Sequence, residues 1–75
     1  MNRWEYRVIE FESEAAGQSG KWQLLEPIGG AYVVLRSEAE LAGLLLYAGG
    51  EGWELVTVVV RPGRDRETLY LKRPR

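Results

Sequence analysis

Gly49-Gly50-Glu51-Gly52-Trp53-Glu54-Leu55 is the stretch where the periodicity of the chain changes. Before it, Leu41, Leu44, Leu45 and Ala48 recur at i, i+3, i+4 and i+7, the spacing of one helix face. After it, Trp53, Leu55, Thr57 and Val59 alternate with Glu54, Val56, Val58 and Val60, the two-residue period of a strand. β-Branched and aromatic side chains fit a pleated sheet better than a helix. Glycines between the two segments close a helix cheaply, because glycine adopts the left-handed conformation without strain. The stretch predicts a helix, a tight corner and a central strand.

Upstream, Ser37-Glu38-Ala39-Glu40 fits a capping box, in which the Ser37 hydroxyl and the Glu40 carboxylate each accept from the other residue's amide. The predicted helix covers residues 38–48, with Glu38 and Glu40 at the positive end of its dipole. Gly43 inside it costs about 1 kcal/mol relative to alanine, which reads equally as close approach of another backbone or as a tolerated defect. Residues 4–12 read as the first strand: Trp4, Tyr6 and Val8 alternate with Glu5 and Arg7, then Ile9 and Phe11 add apolar groups to the second face. Residues 13–21 are small, polar and glycine-containing, and read as a loop. Two short β-prone runs, 22–25 and 31–35, flank Glu26-Pro27-Ile28-Gly29-Gly30. They read either as an extra hairpin or as part of a mobile loop over 13–36.

Downstream, residues 53–61 form the strand after the corner and Pro62-Gly63-Arg64-Asp65-Arg66 a hairpin connection. Residues 67–73 are the last strand, with Leu69 and Leu71 on one face, Thr68, Tyr70 and Lys72 on the other, and Pro74 ending it. The fold class expected is α+β: one domain over 1–75, a small mainly antiparallel sheet with a β-α-β-β core, and one helix on one face. The right-handed crossover rule lets the strand after the helix run parallel to the first, with the last strand between them and antiparallel to both.

Composition narrows the chemistry. The 75 residues include no cysteine and no histidine, which excludes disulfides, thiol chemistry, the usual zinc sites and histidine-based triads. A domain of this size buries only about 60% of its unfolded surface, so oligomerisation is the natural source of further burial. The longest mostly apolar run, residues 41–48, is far short of the roughly 20 residues that span a membrane. Met1-Asn2-Arg3-Trp4-Glu5 lacks a signal-peptide core, so the expected location is cytoplasmic.

Net charge is −1 but unevenly spread. Arg61, Arg64, Arg66, Lys72 and Arg73 make the C-terminal end a candidate anion, small-ligand or single-stranded nucleic-acid site, although a solvated hairpin tip and tail have the same composition. Trp4, Tyr6, Trp22, Tyr32, Tyr47, Trp53 and Tyr70 would be its stacking platform. Most of them, however, alternate with polar residues as core strands do. Glu51 and Glu54 flank Trp53, but adjacent strand positions project to opposite faces, which favours capping or pairing over acid catalysis. The acidic residues are too scattered for a Mg²⁺ or Ca²⁺ cage. The glycine corner follows a helix, at its negative end, and so does not match a phosphate loop. No catalytic group, metal site or cofactor site is expected, and the chain reads as a non-enzyme.

The strand after the corner is apolar on both faces, and one helix covers only one. The other face needs residues 22–35 or a second subunit, because large apolar patches are rare on monomers. Val56, Val58 and Val60 are the candidate self-association face, and the expected role is a small interaction module forming a homodimer or larger assembly.

Trp4-Glu5-Tyr6-Arg7-Val8-Ile9, Gly50-Glu51-Gly52-Trp53-Glu54-Leu55-Val56 and Tyr70-Leu71-Lys72-Arg73-Pro74, in that order, resemble the small bacterial family catalogued as domain of unknown function 4177. The resemblance spans both ends and the corner and leaves residues 13–36 uncovered. It implies a small α+β domain and brings no activity, cofactor or catalytic residue.

Overall fold

The computed structural model describes residues 3–12, 20–60 and 67–75. The alternating segments form β1 (Trp4–Glu12), β2 (Lys21–Ile28), β3 (Ala31–Glu38), β4 (Glu54–Val59) and β5 (Thr68–Pro74); the segment of helical period forms α1 (Leu41–Gly50). They make one five-stranded sheet of order β3-β2-β1-β5-β4, antiparallel throughout. The last strand thus lies between β1 and β4, one of the orders that the sequence left open, and the α+β class stands.

Residues 22–35 belong to a hairpin. Gly29 and Gly30, at φ 57° and 85°, supply the two left-handed positions that match a tight turn to the strand twist. The hairpin does not fold over the sheet. Ile9 pairs with Leu24 and Phe11 with Trp22, so β2 and β3 widen the sheet on the far side of β1. The expected loop at 13–19 and the connection at 62–66 lie outside the described residues.

Paired residues share a sheet face, and the registers sort the side chains. Ile9, Phe11, Trp22, Leu24, Leu69 and Leu71 lie on the side that α1 covers, where Leu44 and Ala48 meet them. Phe11 stands edge-on to Trp22 at 5.2 Å. Ile9, Leu44 and Leu71 are fully buried. Trp4, Tyr6 and Val8 occupy the opposite face, where Trp4 and Tyr6 remain exposed. The apolar face that opens β1 is therefore the one without a helix.

Three expectations change. The Ser37 capping box is not made: Glu38 still belongs to β3, the N-cap is Glu40, and no side chain caps it. Pairing of Ser37 with Gln23 and Glu38 with Trp22 holds that segment in the sheet. Gly43 faces the Glu38 side chain rather than a backbone; a Cβ there would stand 3.2 Å from its Oε1. Lastly, β4 is an edge strand and not a central one. A bulge between Leu55 and Thr57 reverses its alternation. Val58, paired with Leu69, follows Leu55 to the helix side, while Thr57 and Val59 join Glu54 on the other.

The corner closes as a Schellman motif. The Gly52 amide donates to the Gly49 carbonyl and the Trp53 amide to that of Ala48, both at 3.0 Å. Only Gly52 needs the left-handed conformation there, at φ 88°; Gly50 is an ordinary helical residue with open space around a Cβ. In urea unfolding, Gly50→Ala should raise stability by up to about 1 kcal/mol, whereas Gly52→Ala should lower it by about 1–2 kcal/mol.

Candidate functional site

Trp53 enters the core directly behind the corner and is buried between two guanidinium groups. Arg7 lies over its ring at 4.5 Å and Arg73 at 4.4 Å. Both arginines come from the helix side of the sheet, Arg7 from β1 and Arg73 from β5. Each is held in turn. Arg73 donates from Nε and Nη2 to Glu5 Oε2 at 2.9 and 2.8 Å, and from Nη1 to the Glu51 carbonyl at 2.6 Å. Arg7 pairs with Glu26 at 3.2 Å. The corner, β1, β2 and β5 are thus tied through one indole ring, each stacked cation adding about 0.5–2 kcal/mol.

This end of the sheet also carries a cleft of about 250 Å³ lined by Glu5, Tyr6, Arg7, Glu26, Pro27 and Arg75. Glu5 is already paired with Arg73, outside the cleft, and Glu26 with Arg7 within it. Among the described residues no cluster of acidic side chains is arranged to hold a metal ion.

The basic candidates separate. Arg61, Arg64 and Arg66 lie outside the described residues. Lys72 and Arg73 project to opposite faces: Lys72 sits 4.1 Å from the Trp4 ring and 3.7 Å from Glu54, while Arg73 is engaged at the corner. Those two do not form an anion site together. The aromatic candidates divide: Trp22 and Trp53 are in the core, Tyr47 lies on α1 under Arg36, and Trp4, Tyr6, Tyr70 and Tyr32 share the sheet face that carries no helix. Glu51 offers its carbonyl to Arg73, and Glu54 faces Lys72.

The valines keep their exposure but not their common face. Val58 falls on the helix side, Val56 occupies the bulge, Val60 lies past the end of β4, and all three are exposed. Further apolar surface lies on α1, which packs over β2 and β3. Leu45 and Leu46 of α1 are also exposed, Leu46 by 78%. The signal was present: the segment Leu41–Gly50 contains no charged residue, whereas a helix facing water on one side carries polar residues there.

Arg73 beside Glu5 holds the Glu5 carboxyl below the usual carboxylate range. The folded state then binds fewer protons than the unfolded one. The stability from this pair is complete above the ordinary carboxylate value and is lost as the pH falls through the lowered one. Glu5→Gln should flatten that acid limb in a denaturation series run from pH 7 to pH 2. An unchanged limb would mean the pair contributes nothing to folding.

Compared with known proteins, the chain matches no family model, no curated protein and no solved structure.

Proposed function

We propose that the domain is a non-enzymatic, self-associating assembly module, with Val56, Val58 and Val60 in the contact. What supports the reading is the balance of its surface. Fourteen large apolar or aromatic side chains are exposed among the described residues, against ten hydrophobic residues buried in the core. Isolated exposed leucines are ordinary, but an excess of this kind is not.

Among the described residues nothing covers this bare apolar surface. The hairpin β2–β3 lies beside β1 and not over the face. A second copy supplies what the chain does not.

Light scattering on a size-exclusion column over a dilution series should show a mass of at least twice 8.5 kDa. Val58 is 44% exposed, so Val58→Asp should leave the circular dichroism spectrum intact and raise the dissociation constant at least tenfold. A folded Val58→Asp variant with unchanged mass at every dilution would remove the valines from the contact.

A further inference from the structure

How two copies meet, on the self-association just proposed, follows from the direction of the β4 backbone. The Arg75 amide donates to the Arg3 carbonyl at 3.0 Å, and these residues stand directly opposite in the register that pairs Trp4 with Pro74. In an antiparallel ladder, hydrogen-bonded and non-hydrogen-bonded pairs alternate. Glu5 with Arg73, Arg7 with Leu71 and Ile9 with Leu69 are therefore the hydrogen-bonded pairs of β1 and β5. Thr68, Tyr70 and Lys72 turn their N–H and C=O groups the other way, toward β4, where they meet Val59, Thr57 and Glu54. Val58, between Thr57 and Val59, thus directs its own N–H and C=O outward, off the edge of the sheet. Carried one residue past the strand, the same alternation turns Val60 outward.

This edge is poorly guarded. Natural edge strands discourage pairing with lysine, proline or an inward-pointing charge. Residues 55–60, Leu-Val-Thr-Val-Val-Val, contain none of these, and Leu55, Val56, Val58 and Val60 are exposed. The other edge, β3, carries the ion pair of Arg36 and Glu38. A bulge is a further guard, but the one in β4 precedes Thr57, and from Thr57 to Val59 the pairing with β5 is regular. Val58 and Val60 therefore share an edge, and Val56, with no partner on β5, precedes them.

We propose that β4 of a second copy pairs with this edge, antiparallel, about a two-fold axis through Val58. Val58 then lies opposite the partner's Val58 and exchanges both backbone hydrogen bonds with it. Thr57 lies opposite the partner's Val59, and Val56 opposite the partner's Val60. This register keeps the sheet faces in step, with Val58 on Val58 at the helix side and Thr57 on Val59 at the open side. A slip that set Thr57 on Thr57 would bring Leu55, on the helix side, against Val59, on the open one. The backbone decides what the occupant must be: free N–H and C=O groups in a row are matched by an extended strand. The same edge on a second copy presents that row, and its lack of charge leaves no like charges opposed. The pairing is isologous and closes at two chains, giving one continuous sheet with both helices on the same side.

The absence of cysteine from the chain lets disulfide cross-linking read the register. Directly opposed Cα atoms lie about 4.5–5.5 Å apart, within the span of a disulfide, whereas diagonal neighbours at about 7–8 Å are too far. Thr57→Cys and Val59→Cys are prepared singly, checked for fold by circular dichroism, and oxidised alone and mixed. The mixture should give a linked dimer, resolved by mass spectrometry, in at least tenfold the yield of Thr57→Cys alone. A wild-type dimer by light scattering without that preference would overturn the pairing and leave self-association standing. Masses that climb past two chains with concentration would also overturn it, since they mark head-to-tail addition of β4 to β3. A wild-type monomer at every concentration would remove the pairing and the self-association together. As an independent measure, Val58→Pro deletes an outward N–H, which an edge strand tolerates. The variant should keep its circular dichroism spectrum and raise the dissociation constant at least tenfold; a folded variant that dimerises like the wild type would overturn the proposal.

Discussion

The closure of α1 at Gly52 is the constraint on which the rest depends. With Gly52 left-handed, the chain leaves the helix at a fixed angle, and Trp53 is delivered under Ala48 into the core. A residue with a Cβ at this position would resist the turn. Without the turn, Trp53 would miss the space between Arg7 and Arg73, and β4 would not start opposite Lys72. The corner therefore sets the position of the helix and also the register of the edge strand.

Placing two guanidinium groups against one indole solves a particular difficulty. The sheet is wider than its helix, so the end of the face near Glu5 and Arg7 has no aliphatic cover. Arginine stems bury apolar surface while their charged heads reach water or a carboxylate. Arg73 does both, lying flat on Trp53 while it satisfies Glu5 and the orphan carbonyl of Glu51. That carbonyl lies just past the helix end, where a cation also suits the dipole. The core at this end is thus finished by charge-assisted hydrogen bonds, and at the other end by Phe11, Trp22 and Leu44.

Much of this was legible in the residues. The change from helical to strand period at Gly49–Trp53, the alternation of Leu69 and Leu71 with Thr68 and Tyr70, and the place of the last strand all emerge as read. The misreadings share a cause, which is that local pattern does not report what lies alongside. Ser37 and Glu38 carry a capping signal, but pairing with Gln23 and Trp22 outweighs it. Trp4, Tyr6 and Val8 make a more apolar stripe than Glu5 and Arg7, yet the helix covers the second because Ile9 and Phe11 extend it. The bulge at Val56 inserts one residue that no alternation announces, and it moves Val58 to the other face. The arginine stack on Trp53 joins residues from three distant parts of the chain, beyond the reach of any local period.

The uncharged helix and the bare edge strand β4 are the surfaces that the proposed self-association would use. Evolution of a monomer would place lysine or glutamate at positions such as Ala42 and Leu46, where they cost nothing in packing and add solubility. Here the charge is sorted otherwise. It gathers on the open sheet face, as in Glu54 with Lys72, and around Trp53, while α1 and the helix side of β4 carry none. A small domain cannot enlarge its own core without lengthening its chain. It can share one, and the surfaces left uncharged are the ones that a shared core would use.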